Sequence, residues 1–307
     1  MQALIYKSTG SWYIAEAENG ERYNARIKGI FKIDNITSTN PIAVGDTVML
    51  DLEADNNTAI ISGIADRKNY IARSSPHNKN QHHIIASNLD QTLLFATLKE
   101  PRTSTGFIDR FLVSAEAFGV PAVLVFNKWD IYKKKELASF EDLNHIYTDA
   151  GYTILKLSMQ TGEGLNEIKE ILKNKTTLLS GHSGVGKSTF INAILPGKQL
   201  RTTEVSKGSG KGMHTTTFAE MFNLPFGGRL IDTPGIREFG VIDIGKEELS
   251  HFFPEMRRLL HQCRYNNCLH LNEPNCAVKE AVNKNIVSTE RYVNYLNLMD
   301  SLSDKDY

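Results

Sequence analysis

Four short stretches of the 307-residue chain carry residue types that could do chemistry. The first, residues 177–188, reads T-L-L-S-G-H-S-G-V-G-K-S, an apolar run opening into a glycine-spaced loop that closes on lysine and serine. A strand delivering G-x-x-x-x-G-K-S into a helix turns successive backbone N–H groups inward, and the start of the helix adds a dipole that favours phosphate. Gly181, Gly184 and Gly186 permit that backbone, and His182, Ser183 and Val185 complete the cradle. Lys187 would reach the terminal phosphates. Ser188, with Thr189 behind it, would place a hydroxyl in a magnesium shell whose other oxygens come from nucleotide and water.

The second stretch is Asn127-Lys128-Trp129-Asp130, directly after the apolar run 123–126. A carboxylate at Asp130 can accept from N1–H and the exocyclic amine of guanine, donors that adenine does not present on that edge. The Lys128 stem can lie along the base, and Asn127 can tie this loop to its neighbour. Alone, the pattern is equally a helix cap at Asp130, and only the phosphate loop makes it a base reader. Ser158 falls where a second base-contacting loop is expected, although the following residues to Gly164 also suit a turn into a capped helix.

The third stretch is split. Residues 214–217 read H-T-T-T, and 232–235 read D-T-P-G. Asp232 can hold magnesium through water, the Gly235 N–H can bond a terminal phosphate, and one hydroxyl of Thr215, Thr216 or Thr217 can ligate the metal when triphosphate is bound. The two segments would be ordered by that phosphate and released on its loss. Many enzymes of this chemistry carry a glutamine directly after the D-x-x-G glycine to orient water; Ile236 stands there, so intrinsic turnover should be slow. His214 is the candidate for orienting water, against an alternative as an RNA-contacting loop histidine.

The fourth stretch is C-x4-C-x-H-x5-C, namely Cys263, Cys268, His270 and Cys276. Three thiolates and one imidazole form a closed tetrahedral zinc set with no position left for water, hence a structural ion. All the cysteines of the chain fall here, too few and too clustered for a secreted disulfide framework. His261 lies close enough to compete as a ligand.

Elements must position these groups. Residues 1–67 alternate apolar and polar, with Trp12, Ile14 and Ala17 before an Asn19-Gly20 turn and further strands at 23–30, 47–52 and 58–64; five short strands predict a small OB-like barrel, a frequent oligonucleotide binder. Residues 66–83 read as a polar basic linker with Arg67, Lys68, Arg73, Lys79 and Tyr70 free for phosphates and a base, or simply solvated. Beyond it, strands at 91–97, 122–126, 152–157 and 177–181 alternate with helices at 106–118, 135–150 and 165–172, predicting a parallel sheet covered on both faces, with ligands at the carboxyl ends of its strands. A hairpin of 218–224 and 229–231 then feeds Asp232. Residues 278–302 predict an amphipathic helical tail packed on the zinc module.

Lys plus Arg and Asp plus Glu both total 35, so no overall positive field argues for nucleic acid, and any RNA contact must come from local patches such as Arg257, Arg258, Arg264, Tyr265 and Asn266. No stretch approaches the ~18 apolar residues of a membrane span, and the first twenty residues hold no apolar signal segment, so a cytoplasmic monomer without a membrane partner is expected.

The nucleotide motifs occur in the order base loop, second base loop, phosphate loop, switch I, switch II, a circular permutation of the usual order. With the small N-terminal barrel, the H-T-T-T string and the C-terminal Cys/His set, the chain resembles the ribosome-small-subunit-dependent GTPase family, RsgA, also called YjeQ, over nearly its whole length. The resemblance implies binding to the small ribosomal subunit, its 16S-type rRNA and proteins, late in maturation, with subunit-stimulated hydrolysis of GTP to GDP coupled to release. It also favours His270 as the fourth zinc ligand. The expected division is a barrel at 1–67, a permuted GTPase domain at 68–240 and a zinc-binding helical domain at 241–307. Two other readings are a zinc-dependent RNA-binding protein whose nucleotide site only regulates, and a P-loop phosphotransferase; the D-T-P-G segment and the guanine reader weigh against the latter.

Overall fold

The structure is a computed structural model, and it describes residues 1–27, 41–53, 57–74, 82–197, 219–233 and 244–302. Five strands open the chain: β1 (Gln2–Ser8), β2 (Tyr13–Ala17), β3 (Arg22–Ile27), β4 (Thr47–Leu52) and β5 (Thr58–Ile64). They follow the order β1-β2-β3-β5-β4, and β4 pairs back onto β1, so the barrel closes. Only β3 and β5 run parallel. The interior takes Ala3, Ala15, Ala25 and Ala59 beside Ile5, Tyr13, Tyr23 and Leu50, small residues opposite large ones, as a narrow barrel requires. Tyr13, Ala15 and Ala17 therefore face inward, whereas Trp12 is 44% exposed with the Arg26 guanidinium over its ring. The alternation expected to bury Trp12 and Ile14 is one residue out of phase.

The basic run after the barrel is not a bare linker. β6 (Tyr70–Ser74) and β7 (His82–Ser87) pair antiparallel within it. Its cations are also engaged, because Arg67 donates from Nε and Nη2 to the two oxygens of the buried Asp46 at 2.7 and 2.6 Å, and Lys68 Nζ reaches Asp90 at 2.9 Å. Asp46 further accepts from Ser87 Oγ and the Ala43 N–H. Tyr70 packs on Phe118, with ring centroids 4.9 Å apart. An aspartate sealed under the barrel attracts the first arginine that follows, which composition alone does not reveal. Lys79 lies outside the described residues.

The second layered unit contains β8 (Gln91–Ala96), α1 (Thr105–Ala117), β9 (Ala122–Phe126), α2 (Lys134–Ala150), β10 (Thr153–Lys156), α3 (Leu165–Leu172), β11 (Thr176–Gly181), α4 (Lys187–Ile194), β12 (Glu220–Asn223) and β13 (Arg229–Asp232). Spatially the strands run β10-β9-β8-β11-β13-β12, all parallel except the antiparallel edge strand β12. Side chains alternate between faces: Leu94, Leu124 and Leu178 meet α1 and α2, while Leu93, Val123 and Leu179 meet α3 and α4. Chain order and strand order together place the motif-bearing strands in the permuted sequence expected above. The barrel joins its edge through Lys7 paired with Glu220, and Tyr6 Oη donates to Asn223 Oδ1 at 2.7 Å.

The C-terminal part holds α5 (Pro254–Arg257), α6 (Ala277–Asn283) and α7 (Thr289–Ser301) around Phe253, Met256, Tyr295 and Leu298. The expected single tail is broken in two, with Asn285 at φ +56° and Ser288 capping α7 through the Arg291 N–H. Both pieces do pack on the cysteine cluster. Arg291 is 1% exposed and bonds Asp109 of α1 at 2.6 Å and Glu255 of α5 at 2.7 and 2.9 Å. Burial pushes the Asp109 carboxyl up, opposed by the Arg291 guanidinium and by hydrogen bonds from Asn294 Nδ2 and Tyr147 Oη.

Candidate functional site

The carboxyl ends of β8, β9, β10, β11 and β13 carry the site, as expected for a parallel sheet. β11 ends at Gly181 and α4 begins at Lys187, so the five residues from 182 to 186 form the loop. A Cβ at Gly181 would lie 2.4 Å from the Phe95 carbonyl oxygen, and one at Gly186, whose φ is +101°, would lie 2.3 Å from Asn127 Nδ2. Only glycine allows the loop this close to its neighbours. Lys187 Nζ donates to the carbonyls of Gly181 and His182. Val185 is buried beneath the loop, while Ser183, Gly184 and Thr189 are exposed and Ser188 is half-buried at the first turn of α4.

The base loop docks on the phosphate loop through one side chain. Asn127 Nδ2 donates to the Val185 carbonyl at 2.8 Å, and its own N–H bonds Ala96. Lys128 adopts φ +63° and donates to the Glu100 carbonyl. Trp129 packs edge-on against Tyr132 and Phe140, with Lys156 Nζ 4.6 Å from its ring centre. Asp130 remains exposed. Ser158, fully buried, donates from Oγ to Asp130 Oδ1 at 2.6 Å and accepts from the Thr161 N–H. The second loop is therefore a bracket for the carboxylate. Tyr132, which sequence reasoning overlooked, accepts from the Leu98 N–H and donates to the Asn127 carbonyl, tying this loop to the segment that follows β8. No spacing rule points to it; its hydroxyl is simply the group that reaches both backbones.

Asp232 ends β13 at 9% exposure beside the phosphate loop's lysine. Burial pushes its carboxyl up to about 6, with Lys187 opposing that shift, and burial pulls the Lys187 ammonium down to about 8, with Asp232 opposing. Each group is held away from its comfortable charge state, and phosphates with a divalent cation are what would restore both. Ser188 and Asp232 are the described residues whose oxygens suit magnesium. His214, Thr215, Thr216, Thr217 and Gly235 lie outside the described residues.

Away from the sheet, Cys263, Cys268, His270 and Cys276 bring one donor atom each within 4.8 Å of one another. Nδ1 of His270 stands 3.2 Å from Cys276 Sγ and 3.7 Å from Cys263 Sγ, separations close to the edges of a tetrahedron with zinc-length bonds. Burial pushes the Cys268 and Cys276 thiols up, so a metal is needed to make thiolates of them. His261 is exposed and sits outside the group. The donor set fits a closed structural site.

Comparison with known proteins agrees with this geometry. Residues 64–242 match the family model described as RsgA GTPase, and residues 2–61 match the RsgA N-terminal domain. The chain belongs to the RsgA GTPase family. It is 50% identical over 307 residues to the small ribosomal subunit biogenesis GTPase RsgA of Bacteroides fragilis strain YCH46, covering 100% of this chain and 99% of that protein. It is likewise 50% identical to the protein of that name in Flavobacterium psychrophilum, covering 100% and 94%. Among solved structures, YjeQ from Thermotoga maritima aligns with a TM-score of 0.80 at 35% identity over 99% of both chains. YloQ, described as a circularly permuted GTPase, aligns at 0.74 and 28% identity over 100% of this chain and 96% of its own. As an RsgA-family enzyme the chain hydrolyses GTP, on a permuted GTPase fold with an N-terminal OB-like barrel and a C-terminal helical Cys3His module.

Proposed function

We propose that this chain binds the small ribosomal subunit late in its maturation and uses GTP hydrolysis to leave it. The observation that carries the reading is the joint formed by Asn127, Val185, Ser158 and Asp130, which sets a guanine-reading carboxylate at a fixed distance from a phosphate loop. In this reading the backbone N–H groups of residues 182–188 cradle the phosphates, Lys187 neutralises the terminal ones, Asp130 and Ser158 read the base, and Lys128 and Trp129 wall it. Magnesium held by Ser188, a threonine of 215–216 and Asp232 through water would offset the charge of the triphosphate. Gly235 would sense its terminal phosphate, and His214 would orient the attacking water. A zinc ion held by Cys263, Cys268, His270 and Cys276 would fix the C-terminal module.

We divide the chain into 1–67, 68–240 and 241–307, with the barrel and the metal-binding module as the RNA- and protein-facing parts and the centre as the timer. A cytoplasmic monomer suits a factor whose partner is a ribosomal subunit. None of the described helices is long and apolar enough to cross a membrane. GTPase rates with and without purified small subunits test the proposal: strong stimulation supports it, absence of stimulation points to a nucleotide-gated RNA binder, and phosphate appearing on a metabolite points to a phosphotransferase. His214→Ala should abolish stimulated turnover while GTP and subunit binding persist; unchanged turnover removes His214 from the mechanism.

A further inference from the structure

Helix α1 is clamped between two functional modules. Thr105 and Asp109, four residues apart, share one face, and Phe107 lies on the opposite one. On the first face Thr105 Oγ1 donates to Glu290 Oε1 at 2.7 Å, while Asn294 Nδ2 and Arg291 Nη1 donate to Asp109, each at 2.6 Å; all three partners belong to α7. On the other, the Phe107 ring stacks on His182 of the phosphate loop, with centroids 3.7 Å apart and planes inclined at 29°. The His182 carbonyl is one of the two that hold Lys187 Nζ, at 2.8 Å. At its own far side, α7 grips the backbone of the metal cluster: Tyr292 Oη donates to the His270 carbonyl at 2.6 Å, and Tyr295 Oη to that of Leu269 at 2.8 Å.

We infer that Phe107 is a positioning residue for the phosphate loop, and that the C-terminal module sets its position through α7 and α1. This rests on the guanine-nucleotide reading of the site. The contact acts on the segment between Gly181 and Val185, which any bound nucleotide must use, so it governs affinity for GDP and GTP alike rather than the choice of base. It is also separate from the chain that leads out of Asp232, because its links are Phe107 with His182, α1 with α7, and α7 with the backbone of Leu269 and His270. Because linkage is reciprocal, a partner that shifts α7 changes nucleotide affinity, and nucleotide changes affinity for that partner by the same factor.

The test uses the full-length chain and titration of a fluorescent GDP, with a thermal melt of each variant. Phe107→Leu should weaken GDP about five- to tenfold, the range of a lost aromatic pair, with preference for guanine over adenine unchanged. Phe107→Tyr, which keeps the stacking ring, should bind as the parent does. Asn294→Ala, which leaves Asp109 to Arg291 and Tyr147, should weaken GDP about two- to threefold, and the double variant should match Phe107→Leu alone, since both act on one linkage. The His182 ring signals in the NMR spectrum should move in Phe107→Leu and, by a smaller amount, in Asn294→Ala. Unchanged GDP affinity in Phe107→Leu, equal weakening in Phe107→Tyr, or full additivity in the double variant overturns the inference. Failure of the parent chain to bind guanine nucleotide at all would instead overturn the reading of the site.

Discussion

In the proposed site Asp130 would select the base by hydrogen-bond polarity. Its carboxylate only accepts, which suits the two donors on guanine, and Ser158 already occupies one side of Oδ1. Asp130→Asn offers an amide donor to the same edge, so GTP affinity should fall by about two orders of magnitude while xanthosine triphosphate, with an oxygen in place of the amine, gains; competition binding of the two nucleotides reads this directly. The pair Lys187 and Asp232 sets the pH window. Burial pushes the Asp232 carboxyl up to about 6, and a bound cation favours its charged form, so below about 6 binding must release a proton and affinity for magnesium–GTP falls as the pH drops. Lys187 titrates near 8, phosphate favours its charged form, and above about 8 binding must take up a proton, so affinity falls again as the pH rises. Calorimetry should therefore show a plateau between about 6 and 8, with limbs approaching tenfold per pH unit; proton release persisting at pH 7 would contradict it. Gly181 to Ser188, the N-K-W-D tetrad and the three cysteines were legible at this scale because each is a local pattern. Phe107 was not, since it belongs to no motif and its partner His182, in the phosphate loop, lies 75 positions away.

Among the elements, the alternation of strands and helices from β8 to α4 was readable because each strand is a short apolar run followed by a period near 3.6. The β6–β7 pair was not, because its short apolar runs, Ile71-Ala72 and Ile84 to Ala86, sit among polar and basic residues, and its order comes from tertiary contacts such as Arg67 with Asp46 and Tyr70 with Phe118. Trp12 was misplaced for a related reason: hydrophobicity put it inside, but the barrel interior is already filled by Tyr13 and Tyr23 among alanines. The join of α1, α5 and α7 at Arg291 yields a stability prediction. Arg291→Met leaves Asp109 and Glu255 buried without their cation and should destabilise the chain by about 3–5 kcal/mol in urea titration. Arg291→Lys should recover only part of that, since one ammonium cannot reproduce three bonds fixed by a planar guanidinium.

For the molecule as a whole, the order of motifs matters more than their presence. In the ordinary arrangement the chain after the D-x-x-G segment re-enters the sheet, whereas here it leaves β13 at Asp232 and leads on to the cysteine-bearing module, with no further strand of the sheet among the described residues. Loss of the terminal phosphate should therefore alter that module, and hydrogen exchange compared between GTP-analogue and GDP states should differ across residues 235–276. Identical protection would detach the module from the switch.

The strand order β10-β9-β8-β11-β13-β12 also fixes how the enzyme must be made. Translation completes β8, β9 and β10 first, and these can align as a half-sheet while β11, which has to sit beside β8, is still unsynthesised. Until it arrives, β8, whose six residues are all buried in the finished fold, presents an edge of unpaired backbone N–H and C=O groups. A nascent chain stalled between Lys156 and Thr176 thus holds its base-reading strands without any phosphate loop to dock them on. Its vulnerability to wrong pairing is greatest in that interval, before the central strand closes the gap.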